Sequence, residues 1–220
     1  MKKKIVVTVF SVLLATTMMP LSAFAESDLN NEKKAATEIT KQINENVYQL
    51  LDFDDKQEEE FATKGFITAP ETLTIKDDND NTIFDQSVYD FVKDTDAPDS
   101  ANPSLWRNTQ LNTNYGLFQV TDDIYQVRGY DISNMTFVRS DNGWIILDCL
   151  ASETTAKAAL DLFKSEMGDV HISAVIISHA HVDHYGGIQG ILTAEELADS
   201  TLSLEDQIAS GKTAIIVPEG

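Results

Sequence analysis

Three of the chain's four histidines fall within six residues, His179-Ala180-His181-Val182-Asp183-His184. Chance placement seldom crowds metal-ligating side chains in this way. In extended backbone alternate side chains point to the same side, so His179 and His181 can converge on one cation while Asp183 and His184 turn toward a second. Neutral imidazole and carboxylate are ligands that zinc favours. Two cations held this close need a bridging water, and divalent zinc lowers the pKa of such a water to roughly 7, which makes hydroxide available near neutral pH. Gly186 and Gly187 follow after Tyr185 and let the backbone turn tightly away.

A lone histidine is more often a surface or core residue than a ligand, and His171, outside the cluster, is read in that way. The cluster is different, because the apolar run Ala174-Val175-Ile176-Ile177 precedes it and Gly-Gly follows it, which favours a metal loop over a solvated histidine-rich loop. Asp148 closes another apolar run, Trp144 to Leu147. It is either an acceptor for hydrogen bonds from the metal loop or an ordinary strand-ending turn residue. Cys149 is the chain's one cysteine and reads as a small buried side chain; an intrachain disulfide and a CxxC framework are excluded by count.

The elements that must position these groups follow from hydrophobic spacing. Phe118 to Val120, Ile124 to Val127, Met135 to Val138 and Trp144 to Leu147 carry strand-type residues, and Asp141-Asn142-Gly143 is a hairpin signal, so a β-meander is expected. Ser152 can cap a helix with Ala156, Ala159, Leu160, Phe163 and Met167 on one face and Gly168 as its stop. The apolar run 174–177 reads as a strand buried on both faces, ending on the histidines. A helix is expected around Leu192 to Ala198 and a strand over Ala214 to Val217. This order is an α/β pattern with ligands at a strand's carboxyl end.

Upstream, Asp28 to Asn31 offer helix caps, and Ala36, Ile39, Ile43, Val47, Leu50 and Leu51 recur at helical spacing, so one amphipathic helix is expected to lie on the rest. From Asp52 to about Asn102 the chain is polar and acidic and reads as a leader wrapping the later core. Asp77, Asn79 and Asn81 have the start of a calcium loop. Thr82 stands where that loop needs Gly and Val88 where it needs Glu, so a turn between Leu73-Thr74-Ile75 and Thr82-Ile83-Phe84 is the better reading.

The net charge of −20 over 220 residues, with a pI near 4.3, gives no footing for nucleic-acid or membrane-surface partners. A composition 42% hydrophobic and 8% aromatic is globular. Residues 1–25 read as a secretory signal peptide: Lys2 to Lys4 are basic, Ile5 to Leu14 apolar, and Ala23-Phe24-Ala25 a cleavage site. The apolar run falls short of the ~20 residues a membrane span needs. The product is expected to be exported, to a periplasm or to the medium.

The run His179 to His184 resembles the HxHxDH signature of the metallo-β-lactamase superfamily. Its flanks, Asn102 to Arg107, Gly116 to Phe118, Ile124 to Gly129, Ser133 to Thr136 and Tyr185-Gly186-Gly187, are similar to secreted linear alkylsulfatases that hydrolyse dodecyl sulfate-type detergents. The similarity runs from about Asp52 to Gly220. It implies an α/β fold: residues 116–220 as the first part of an αββα sandwich, preceded over 26–115 by an acidic helical and hairpin leader. It implies His179 and His181 on a first zinc, Asp183 and His184 on a second, and Asp148 as the family's strand-end aspartate. The substrate class implied is an alkyl sulfate, cleaved to alcohol and sulfate, and the complete family enzyme is a homodimer. The remaining ligands, the sulfate-binding residues and a sterol-carrier-like domain are expected downstream. The chain is therefore expected to be an amino-terminal portion, inactive alone. Cys149 stands where the family carries proline. The competing readings are another hydrolase of this fold, acting on a lactam, thioester or phosphoester, and a non-catalytic remnant.

Overall fold

A computed structural model describes residues 34–219. The signal-peptide segment 1–25 and the cap candidates Asp28 to Asn31 lie outside the described residues. Helix α1 (Glu38–Leu50) is capped instead by Thr37, whose hydroxyl accepts the Thr40 N–H. Its half-buried side is Lys41, Asn44 and Val47, while Ile39, Ile43 and Leu50 remain exposed, so its apolar stripe is only partly used.

The acidic stretch holds α2 (Gln57–Thr63), strand β1 (Phe66–Thr68) and the hairpin β2 (Thr74–Lys76) and β3 (Thr82–Asp85). The turn 77–81 that could have been a calcium loop is a hairpin turn, with Asp77 accepting the N–H groups of Asn79 and Asn81. Helix α3 (Pro103–Leu111) starts where Asn102 accepts from the N–H of Ser104 and Leu105, with Pro103 in the first turn, a cap that sequence reading passed over.

The meander is β4 (Gly116–Thr121), β5 (Ile124–Arg128), β6 (Met135–Ser140) and β7 (Gly143–Leu147). Helix α4 (Glu153–Met167) then crosses to β8 (Ile172–Ile176), which runs parallel to β7, and β9 (Ala214–Ile216) extends the parallel part. The result is one seven-stranded mixed sheet in the order β1-β4-β5-β6-β7-β8-β9. Ser152 caps α4 by accepting the Thr155 N–H, and Gly168 ends it at φ +80°.

Strand alternation decides which face is core. Tyr125, Val127, Met135, Phe137, Trp144 and Ile146 point to one side and are sealed by Ala156, Ala159, Leu160 and Phe163 of α4. The alternate residues Gln126, Arg128, Thr136, Val138, Ile145 and Leu147 are half-buried on the other side.

One expected element is absent. Residues 192–198 hold a turn at 194–196 rather than a helix, because Leu197 bridges to Thr213 and the Ala198 N–H donates to the Thr213 carbonyl, drawing the segment alongside the sheet. The helix of this region is α6 (Leu204–Ala209), capped by Ser203.

Candidate metal centre

Because β7 and β8 are parallel neighbours, their carboxyl ends lie side by side and release Asp148 and Ser178 next to each other. Asp148 Oδ1 accepts the Ser178 N–H at 2.7 Å, and Oδ2 accepts the Ser178 hydroxyl at 2.8 Å. Oδ2 also lies 2.8 Å from His184 Nδ1. Of the two readings of Asp148, the structure supports the hydrogen-bond acceptor. Asp148 and Leu150 both have left-handed backbone, φ +59° and +63°, which non-glycine residues rarely adopt. Strain of this kind persists where surrounding contacts over-determine it.

The histidine loop ends in the short helix α5 (Val182–Tyr185). His179 Nε2 lies 3.1 Å from His181 Nδ1, and His184 Nε2 lies 3.2 Å from Asp183 Oδ2. The His179 and His184 rings are 3.9 Å apart, so all four sequence-picked ligands share one patch. His171 stands apart, its carbonyl accepting the Trp144 N–H and its ring lying close to Gly143.

Hydrogen-bond directions decide which ring nitrogens are free. A carboxylate only accepts, so His184 Nδ1 donates to Asp148, and the Ser178 hydroxyl, donating to Asp148, can accept from His179 Nδ1 at 2.9 Å. This leaves His179 Nε2 and His184 Nε2 as lone pairs, the latter facing the Asp183 carboxylate. Two acceptors at that distance repel unless a proton or a metal cation lies between them. Two ligands on one tetrahedral zinc at about 2.0–2.1 Å stand roughly 3.3 Å apart. Both facing pairs match that span, so these side chains fit divalent metal as two pairs. Among the described residues no group of three such side chains is disposed around one ion.

The hydrogen bonds also set the charge of Asp148. Burial, the largest influence on Asp148, opposes its charge, yet the hydrogen bonds from His184 and from the Ser178 N–H and hydroxyl hold its carboxyl below the usual range. The Cys149 thiol is pushed up to about 12 by burial, with the Asp148 charge adding to it. Asp148→Asn puts an amide N–H or a single carbonyl oxygen where two oxygens accept three donors. Divalent-metal affinity is expected to fall 10- to 100-fold. Competition with a chelator measures it, and unchanged affinity would show that Asp148 does not orient His184.

Gly186 and Gly187 serve by close approach rather than by unusual dihedrals. Their φ values are ordinary, −62° and −86°. A Cβ at Gly186 would lie 2.3 Å from the Ala151 carbonyl oxygen, and one at Gly187 2.0 Å from that of Cys149. The Cys149 N–H donates to the His184 carbonyl at 2.8 Å, completing the seam between the loops.

Three contributors were not singled out from sequence. Ser178 links Asp148 to His179, and Ser133 donates its hydroxyl to the Asp183 carbonyl. Asp131 accepts from the Ala151 N–H at 3.1 Å and the Thr155 hydroxyl at 2.7 Å, tying the β5–β6 loop to the start of α4. Only Ser133 carried a signal, in the motif-like stretch Ser133 to Thr136. The other two are ordinary loop residues until the strands are aligned.

Beside the donors, Ile177, Ala180, Tyr185, Ile188, Ile215 and Val217 line a predominantly apolar cavity of about 690 Å³ that reaches His179.

Residues 128–205 match the metallo-beta-lactamase superfamily. The chain is 45% identical over 188 residues to a linear primary-alkylsulfatase of Pseudomonas sp., covering 85% of this chain and 26% of that protein. It is 38% identical over 213 residues to an (R)-specific secondary-alkylsulfatase of Pseudomonas sp., covering 97% of this chain and 30% of the relative. The solved structure of a stereoselective inverting sec-alkylsulfatase from Pseudomonas sp. superposes with a TM-score of 0.70 at 40% identity, over 83% of this chain and 27% of that one. The chain thus spans between a quarter and a third of the length of these relatives.

Proposed function

With residues 128–205 matched to the metallo-beta-lactamase superfamily and the chain resembling the amino-terminal part of alkylsulfatases, we propose that it forms part of a zinc-dependent hydrolase that cleaves linear alkyl sulfate esters to alcohol and sulfate. The observation that carries the reading is the apolar cavity opening beside His179, which offers an alkyl chain a place next to the ion-binding groups. A lactam, thioester or phosphoester substrate has no comparable observation in its favour.

His179 and His181 would hold one zinc, Asp183 and His184 a second. Zinc held there supplies Lewis acidity, which makes water a nucleophile near neutral pH. This chain's own residues perform the positioning. Asp148 keeps the proton of His184 on Nδ1, Ser178 gives His179 Nδ1 an acceptor, and Ser133 holds the Asp183 backbone. Burying the alkyl chain along Ile177, Ile188 and Ile215 contributes roughly 0.8 kcal/mol per methylene.

The test is sulfate release from dodecyl sulfate by the native polypeptide that carries this sequence, with and without His181→Ala. Losing a ligand should cost more than losing a group that orients one, so the rate is expected to fall by more than about 100-fold. A variant as active as the parent would refute the reading. Export is proposed on Lys2 to Lys4, the apolar run after them and Ala23-Phe24-Ala25. Amino-terminal sequencing of the secreted product should begin at Glu26. Among the described residues no helix is long and apolar enough to cross a membrane.

A further inference from the structure

The chain has three arginines, and two of them face carboxylates: Arg107 lies 3.4 Å from Glu58 and Arg139 lies 3.8 Å from Asp123. Arg128, half-buried at the end of β5, has no such partner among the described residues, in a chain with 36 acids to choose from. Its guanidinium is nevertheless held in place. Nε donates to Gln126 Oε1 at 2.7 Å, and the group lies 4.4 Å above the Phe118 ring. The two terminal nitrogens make no hydrogen bond among the described residues, and burial lowers the arginine's pKa. A desolvated cation without a counter-charge is costly unless an anion joins it.

Arg128 lines a cavity of about 410 Å³, within the range of small-molecule sites. No Asp or Glu contributes to its wall. Gln86, Asn112 and Asn134 also line it, and none of their side-chain amides makes a hydrogen bond among the described residues. Gln86 is only 4% exposed, so its free amide is built into the wall rather than spread on the surface. Leu111 and Ile132 supply apolar surface. None of the histidine-loop residues takes part, although Ile132 and Asn134 flank Ser133, which holds Asp183.

We infer that this cavity is a second binding site, for a small organic oxyanion such as a sulfonate, organosulfate or carboxylate. Arg128 supplies the planar double donor that matches an oxyanion, and the three amides supply neutral donors around it. The cavity exceeds what a bare ion fills, so the anion carries an organic body against Leu111 and Ile132. The inference is independent of the function proposed above.

Binding of benzenesulfonate, which has no ester to cleave, is followed by calorimetry on the native polypeptide, with inorganic sulfate as a second arm and sodium chloride at matched ionic strength as reference. Benzenesulfonate is expected to bind in excess of the chloride background and more tightly than sulfate. Arg128→Met, which keeps the stack on Phe118, should weaken it at least tenfold, and Arg139→Met should leave it unchanged. Asn134→Asp changes an exposed side chain and tests the site without disturbing the core; its carboxylate should weaken binding by a similar factor. His181→Ala should leave binding intact. Binding no better than chloride, no better than sulfate, insensitive to both Arg128→Met and Asn134→Asp, or lost in His181→Ala would each overturn the proposal.

Discussion

Phe163→Ala is expected to cost about 3–5 kcal/mol of folding stability. Phe163 is fully buried on α4, and its ring touches three strands at once. It stacks on Phe137 of β6 at 3.8 Å with 5° between the planes. It meets Trp144 of β7 edge-on at 4.9 Å and Tyr125 of β5 at 6.1 Å. Alanine removes the ring's transfer free energy, leaves a void bordered by three rigid aromatic side chains, and forfeits pair contacts worth about 0.5–1.5 kcal/mol each beyond area. Strands paired on both edges cannot collapse into such a void. The loss would be a large part of the 5–15 kcal/mol that a typical domain has. Urea denaturation followed by tryptophan fluorescence measures it. Phe163→Leu, closer in volume, should cost far less, and a Phe163→Ala loss below about 1.5 kcal/mol would show that the helix does not seal the sheet as described.

The same ring shows why α4 was legible in the sequence. Ser152, the spacing of Ala156, Ala159, Leu160 and Phe163, and Gly168 are local signals that agree with one another and with the tertiary fold. The meander was legible because its strands alternate and its turns are short. Strand β1 was not, since three residues paired to β4 some fifty positions later leave no periodic trace. The helix expected at 192–198 failed for a related reason. Its apolar spacing is real, but a backbone partner distant in sequence, Thr213, competes for the same groups. At the candidate site, residue type and spacing picked out His179, His181, Asp183 and His184, which the fold brings into one patch. What holds them was hidden, because Ser178 and Asp131 become informative only when two strand ends lie side by side. Asp148 stayed ambiguous between two roles for the same reason.

Gly187→Ala tests that dependence of the loop on its support, and is expected to combine a stability loss of about 1–3 kcal/mol or more with at least tenfold weaker divalent-metal binding. The added methyl would lie 2.0 Å from the Cys149 carbonyl oxygen, 2.5 Å from Ala156 Cβ and 2.7 Å from the Ser152 carbonyl oxygen. None of these is the end of a flexible side chain. Two are backbone and the third is fixed in the first turn of α4, so the loop after His184 must lift away. Lifting it strains the Gly187 N–H bond to the Leu150 carbonyl and the Cys149 N–H bond to the His184 carbonyl. His184 then loses its alignment with Asp148. The fully buried Cys149, the only thiol in the chain, reports the opening: silent to alkylation in the native parent, it should react in Gly187→Ala under conditions where the variant is still folded. Gly211→Ala separates packing from backbone strain. Its φ is +71° but nothing lies within 4 Å of the new methyl, so it should cost only the ~1–2 kcal/mol of a left-handed alanine and leave metal binding untouched. If Gly187→Ala binds metal like the parent and its thiol stays silent, the contact between the two loops is not what positions the donors.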